Sequence, residues 1–153
     1  MLGNRKTGEN MAVTDIPREY NAAVDLIERN LKAGRGSKLA YIDDSGEYTY
    51  ADLAERVNRA ANAIVSLGVR REERVALALL DTIDFPAAFL GAIKAGIVPV
   101  ALNTLLTTPD YEYMLRDSCA RVLIVSEPLL KAFLPMLSQL PDLKHVIVSG
   151  KDA

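Results

Sequence analysis

The chain has 153 residues, the usual size of one domain, and is 50% hydrophobic and 25% charged, which excludes a disordered polypeptide. Its 18 basic and 20 acidic residues leave a net charge of −2, so there is no domain-wide basic field to draw in nucleic acid. No apolar run approaches the roughly 20 residues that span a bilayer, so no membrane partner is expected.

Residues 1–14 read as a polar N-terminal extension. Met1–Asn10 lacks the apolar stretch of a signal peptide, and Met11-Ala12-Val13 looks like a second start. From Asn21, the apolar Ala22, Ala23, Val24, Leu26, Ile27 and Leu31 fall mainly on one helical stripe, which Gly34 and Gly36 stop. Leu39–Asp43 and Tyr48–Tyr50, around Asp44-Ser45-Gly46-Glu47, predict a β-hairpin. Thr49 with Asp52 forms a variant capping box, and Leu53, Val57, Ala60, Ala61, Ile64 and Val65 trace the apolar face of a helix that ends at Gly68.

The grammar then changes. Arg74–Leu80 is a continuous apolar run, as in a strand buried on both faces. Asp84-Phe85-Pro86 opens a helix to about Ala95, since proline is tolerated where the first N–H groups lack helical partners. Gly96 stops it, and Ile97–Leu102 is a second apolar strand. Thr108-Pro109-Asp110 starts a helix to about Ser118, and Arg121–Val125 is the next strand. Cys119, the single cysteine, lies between them as a small buried hydrophobe; it excludes an internal disulfide and suits a reducing cytoplasm. Ser126-Glu127-Pro128 begins a helix broken or kinked at Pro135, and His145–Val148 is the last strand. The predicted fold class is α/β: a mostly parallel sheet with right-handed crossovers and helices on both faces, plus the N-terminal hairpin.

Chemistry is harder to find. Gly34-Arg35-Gly36-Ser37-Lys38 follows a helix and precedes a strand, the reverse of what a phosphate loop needs, so it reads as a connector. Ser149-Gly150-Lys151 does follow a strand but is too short to count. No G-x-G-x-x-G follows any strand, and one His (His145) with one Cys gives no basis for a triad or a zinc site. Among the carboxylates, Asp43 and Asp44 suit the hairpin turn and Asp84 a helix N-terminus. Asp81, just past a buried strand, is the least ordinary. On residues alone this is an α/β domain without an identifiable active site.

Three segments carry a resemblance. Glu47-Tyr48-Thr49-Tyr50-Ala51-Asp52-Leu53, Gly68–Ala76 and Ala92-Ile93-Lys94-Ala95-Gly96-Ile97-Val98-Pro99-Val100, with Asn103 following, resemble in order and spacing the opening motifs of the adenylate-forming superfamily. That superfamily includes acyl-CoA synthetases, adenylation domains and luciferases. Pro17–Asn21, Asp81–Pro86 and Asn103–Thr107 further resemble bacterial benzoate–CoA ligases.

The resemblance implies an aromatic carboxylic acid substrate, with ATP, Mg and CoA as cofactors. Such ligases join the carboxylate to the α-phosphate of Mg-ATP and then transfer the acyl group to the CoA thiol. It also implies that residues 15–153 are the first part of a large N-terminal domain. The phosphate loop, the acidic residue near Mg, the ribose-binding Asp and the mobile lysine of such enzymes have no counterpart in these residues. No catalytic or metal-binding residue is therefore assigned, and these residues alone are expected to be inactive and to bind the cofactors weakly. Their expected partner is the remainder of the same polypeptide, with self-association through uncovered core surface.

By the same resemblance Asn103, Thr104 and Leu105 lie near the approach of CoA. Leu105 stands where some relatives carry an arginine that contacts a CoA phosphate. Lys94 reads as a helix-end cation that could assist a phosphate. Two rival readings are a stand-alone, non-catalytic α/β binding module and a fatty acyl–CoA synthetase.

Overall fold

The computed structural model describes residues 17–150. The expected polar extension over residues 1–14, and Lys151, lie outside them. The element order is α1 (Ala22–Lys32), β1 (Leu39–Asp43), β2 (Gly46–Thr49), α2 (Tyr50–Ser66), β3 (Arg74–Ala78), α3 (Asp84–Lys94) and β4 (Val98–Ala101). Then follow α4 (Thr108–Ser118), β5 (Val122–Ser126), α5 (Leu130–Phe133) and β6 (His145–Ser149).

Helix ends are fixed by side chains that the sequence supplies. Asn21 caps α1 by accepting the Val24 N–H (3.1 Å), while its amide nitrogen donates to the Ile93 and Lys94 carbonyls at the far end of α3 (2.9 and 3.2 Å). One asparagine thereby serves two helix termini, donors at one and acceptors at the other. The capping box at α2 forms as expected: Thr49 Oγ1 accepts the Asp52 N–H, and the Asp52 carboxylate accepts the Thr49 N–H. Because Thr49 caps the helix, Tyr50 is already helical and the second hairpin strand begins earlier than expected, at Gly46. The Asp43 carboxylate tightens that turn by accepting the Ser45 and Gly46 N–H groups.

β4, β3, β5 and β6 form, in that order, one four-stranded sheet in which every pairing is parallel. β3 and β5 are central and buried along both faces, as their unbroken apolar runs require. β4 has the same composition but sits at an edge, and Val98 is 45% exposed. Side chains alternate along each strand. Val75, Leu77, Leu79, Val122 and Ile124 face α2 and α3, whereas Ala76, Ala78, Leu123 and Val125 face Tyr111 and Leu115 of α4 and Phe133 of α5. The chain runs from β3 outward to β4 and then back across to β5 and β6. Crossovers of a single hand must then lay α3 on one face and α4 and α5 on the other, as observed. A third cluster joins Ile27 of α1, Leu53 and Val57 of α2 and Ile83 to the hairpin's Tyr41 and Tyr48.

Three expectations are corrected. The helix after Ser126 is a 3-10 turn (Glu127–Leu129), the four residues of α5 and a second 3-10 turn (Leu137–Gln139). Pro135 lacks the N–H that would bond back to Lys131, so the helix stops short of it. Val65, counted on the apolar face of α2, is 52% exposed. Cys119 is only half-buried; it is the left-handed C-cap of α4 (φ 48°), and Ala120 is the residue inside the core.

The caps also make stability depend on acid. A hydrogen bond from the Thr49 hydroxyl holds the Asp52 carboxyl below the usual carboxylate range, and the Thr107 hydroxyl does the same for Asp110. At Asp43 the largest cause is the Ile83 N–H. Depressed carboxyls contribute stability that is complete above their unfolded value, about pH 4, and is lost as pH falls through the folded one. The thermal midpoint is therefore expected to be flat from pH 7 to about 5 and to fall below about pH 4. A double Asp52→Asn, Asp110→Asn variant should show a smaller fall, measured by circular dichroism across that range.

Candidate functional site

The connection leaving β3 goes to one side of the sheet, and that leaving β5 goes to the other. Between their carboxyl ends the chain directions diverge, the place where open parallel sheets take ligands. An open crevice of about 520 Å³ lies there, walled by Leu80 and Thr82 after β3, by Ser126 and Glu127 after β5, and by Ser149 of β6.

Each wall is pinned by polar contacts. Ser126 is buried, and its hydroxyl accepts the Leu80 N–H (3.0 Å), tying β3 to β5 across the switch point. Ser149 lies in register with Ser126 on the neighbouring strand and donates to Asp84 at the start of α3 (2.6 Å). The other Asp84 oxygen is 3.8 Å from the Arg56 guanidinium, which also lies over the Tyr48 ring at 4.9 Å. The Asp43 carboxylate accepts the Ile83 N–H (2.8 Å), docking the hairpin on the same loop. Thr82 Oγ1 is buried and has no hydrogen-bond partner among the described residues.

The carboxylates sort differently from their expected order of interest. Asp81 is exposed, and among the described residues no hydrogen bond engages it. Asp43 and Asp84 are the two that reach the crevice, as fastenings rather than free acids. Sequence reasoning missed Ser126 and Arg56, and it set Ser149 aside as part of a run too short to count. The serines did leave a signal, since each directly follows the aliphatic run of a strand, Val-Leu-Ile-Val-Ser and Val-Ile-Val-Ser. Arg56 left none, because a cation on the polar face of a helix is ordinary.

Asn103, Thr104 and Leu105 lie together in the loop after β4, along the same carboxyl edge. Asn103 Oδ1 accepts the Leu105 N–H (2.9 Å), and the Asn103 carbonyl accepts the Tyr111 hydroxyl (2.9 Å). Asn103 therefore shapes its own loop and anchors it to α4, leaving Leu105 at the tip with 89% of its surface exposed. An apolar tip offers no charge to a phosphate.

Other candidates lie elsewhere. His145 is exposed at the amino end of β6, opposite the crevice. Lys94 is also at the amino edge, where its ammonium donates to Asn58 of α2. In the Gly34–Lys38 connector, the carbonyls of Gly36 and Lys38 accept the Ala51 and Tyr50 N–H groups, so its acceptors face the start of α2 and no cradle of N–H donors forms. Among the described residues, no group of three or more His, Cys, Asp or Glu is placed to hold a metal ion. No helix among them is long and apolar enough to cross a membrane.

The geometry is thus an open crevice at the switch point of a parallel sheet, fastened by Ser126, Ser149, Asp43 and Asp84. The family model for AMP-binding enzymes matches residues 27–153, and the chain belongs to that family. It is 60% identical over 136 residues to a benzoate–CoA ligase of Thauera aromatica, which covers 88% of the chain and 26% of that protein. It is 47% identical over 133 residues to a 4-hydroxybenzoate–CoA/benzoate–CoA ligase of Rhodopseudomonas palustris, covering 87% of the chain and 25% of the relative. Among solved structures, an anthranilate–CoA ligase in complex with anthranoyl-AMP superposes with a TM-score of 0.84 at 42% identity, over 89% of the chain and 26% of its own. The chain thus spans about a quarter of the length of the relatives it matches.

Proposed function

We propose that this chain is the first part of the large N-terminal domain of an ATP-dependent acid–CoA ligase that activates a benzoate-like carboxylate, and that the whole protein works in the cytoplasm. The observation that carries this reading is the 60% identity to the Thauera aromatica enzyme, sustained over 88% of the chain.

Within this reading the residues described supply shape and not chemistry. They do not fit ATP, Mg or CoA by themselves. The Gly34–Lys38 connector forms no N–H cradle, no group of three or more His, Cys, Asp or Glu among the described residues is placed to hold Mg, and Leu105 is apolar where a CoA phosphate would want a cation. What they do provide is a rigid carboxyl edge: Ser126 clamps β3 to β5, Ser149 clamps β6 to α3, and Asn103 fixes the loop after β4. Positioning of this kind is what the rest of such a ligase needs in order to hold two anionic reactants in line. Asn103, Thr104 and Leu105 are proposed to border the path of CoA, with Leu105 touching its apolar arm.

The test is substrate choice by the longer polypeptide that carries this chain. With Mg-ATP and CoA it is expected to release AMP and form benzoyl-CoA, with kcat/KM for benzoate at least about tenfold above that for a long-chain fatty acid. A preference for the fatty acid would overturn the aryl assignment while leaving the family intact.

A further inference from the structure

At the opposite end of the strands from the crevice, a pocket of about 270 Å³ opens between the end of α2, the loop entering β3 and the amino ends of β5 and β6. Its charged lining is Arg70, Glu73, Arg121, Lys144 and His145. Part of this set is neutralised in pairs. Glu73 accepts the Arg121 guanidinium on one oxygen (3.1 Å) and the Arg70 N–H on the other (2.8 Å). The Arg70 N–H, helped by Arg121, holds the Glu73 carboxyl below the usual carboxylate range, so it is charged at neutral pH. Arg121 also reaches the Asp142 carboxylate beside the pocket (3.2 Å) and is therefore fully engaged. The other cations are not. Arg70 is near enough to Glu73 to feel its charge but forms no ion pair with it, and the Lys144 ammonium donates to the Pro141 carbonyl (2.7 Å) and to no carboxylate. Arg70, Lys144 and His145 are all exposed. Three cations thus face two carboxylates, and a protonated His145 makes a fourth. The end of α2 opposes an anion less than an open helix end would, because the Leu67 and Gly68 N–H groups take up the Ala63, Ile64 and Val65 carbonyls. Val69 lines the same pocket, and no acceptor for its N–H is found among the described residues.

We propose that this pocket binds a phosphate dianion, free or as the end group of a small phosphomonoester, between Arg70, Lys144 and His145. The guanidinium offers a planar fork of N–H donors and the ammonium a compact charge, a pairing suited to a tetrahedral oxyanion. Three separate donors match the three terminal oxygens of a phosphate better than the two of a carboxylate. The pocket is also wider than a bare phosphate requires, which leaves room for the group that carries it. Nothing in the proposal depends on the ligase reading, so a different substrate at the crevice would leave it standing.

His145 supplies the readout, since it is the only histidine in the chain and its imidazole Cε1–H signal in a proton NMR spectrum needs no assignment. The 153-residue chain is titrated with inorganic phosphate, and separately with ribose 5-phosphate, at constant pH and with ionic strength held by potassium chloride. The signal should move along a saturating curve with either probe and stay still when chloride alone is varied. Several-fold tighter binding of the ester would make a phosphomonoester the ligand, and equal binding would make it the phosphate group itself. Arg70→Gln and Lys144→Gln should each weaken binding about tenfold, the loss of one charge-assisted hydrogen bond. Both side chains are exposed, so the circular dichroism of the two variants should match the parent. Lys94→Gln, which removes a cation from the same edge of the sheet but outside the pocket, should leave binding unchanged. A signal that drifts linearly, as it does with chloride, would overturn the proposal. So would equal weakening by Lys94→Gln and Arg70→Gln, which would reduce the effect to the general charge of the chain.

Discussion

Gly91→Leu is expected to abolish cooperative folding, and Gly91→Ala to lower stability by about 1–3 kcal/mol in urea denaturation. Intrinsic propensity argues the opposite, because glycine inside a helix is worse than alanine by about 0.5–1 kcal/mol. The close approach of α3 to α2 decides the sign. A Cβ at position 91 would lie 2.9 Å from Ala60 Cβ, 3.0 Å from the Ala61 nitrogen and 3.1 Å from the Val57 carbonyl oxygen. Two of those three atoms are backbone, so relief requires α2 itself to shift. α2 cannot move freely, since Val57 and Ile64 on its inner face are each 1% exposed. A Gly91→Ala variant more stable than the parent would show that α2 and α3 leave room for a Cβ at this crossing.

Phe133→Ala is expected to cost about 3–5 kcal/mol, a drop of about 10 °C or more in thermal midpoint for a chain of this size. Phe133 is fully buried, and its ring sits 4.3 Å from that of Tyr111 at a 31° tilt. The pair fills the core between α4, α5 and the strand residues Ala76, Ala78, Leu123 and Val125. Those two alanines leave the space that the rings occupy, so neighbouring side chains cannot collapse into the cavity. The effect should reach the surface. The Tyr111 hydroxyl holds the Asn103 carbonyl, so Phe133→Ala should also speed hydrogen exchange at the Leu105 amide. Tyr111→Phe, which keeps the ring and removes only that hydrogen bond, should cost about 1 kcal/mol and loosen the same loop. A Phe133→Ala cost below about 1 kcal/mol would contradict this account of the core.

How much of this was legible in the sequence depends on whether the signal was local. The capping box at Thr49 and Asp52, the stop at Gly68 and the buried strand at Val75–Ala78 are set by neighbouring residues, and they stand where the sequence put them. The alternation of elements gave the parallel sheet and its two helical faces. It could not give strand order, and strand order is what makes β4 an exposed edge despite its apolar run and opens the crevice between β3 and β5. The site was less legible for the same reason. Ser126 meets Leu80, Ser149 meets Asp84 and Arg56 meets Asp84, pairings 46, 65 and 28 residues apart that no local pattern encodes. Asn103 was singled out by resemblance, and the structure adds what the residue does locally, which is to hold its own loop. Asp43 and Asp84 are fastened by the Ile83 N–H and the Ser149 hydroxyl, whereas Asp44 and Asp81, of the same residue type and within a few residues of them, are exposed.

The central claim is that these residues form the frame of an adenylate-forming ligase while the reacting groups lie in the other three quarters. Benzoate-dependent exchange of pyrophosphate into ATP by the purified 153-residue chain tests it most directly. The account predicts no exchange above a protein-free control at any Mg-ATP concentration, from a chain that is folded by circular dichroism. Exchange that requires benzoate and persists through repeated purification would contradict it, because a phosphate cradle and an acid pocket would then have to exist within residues 1–153.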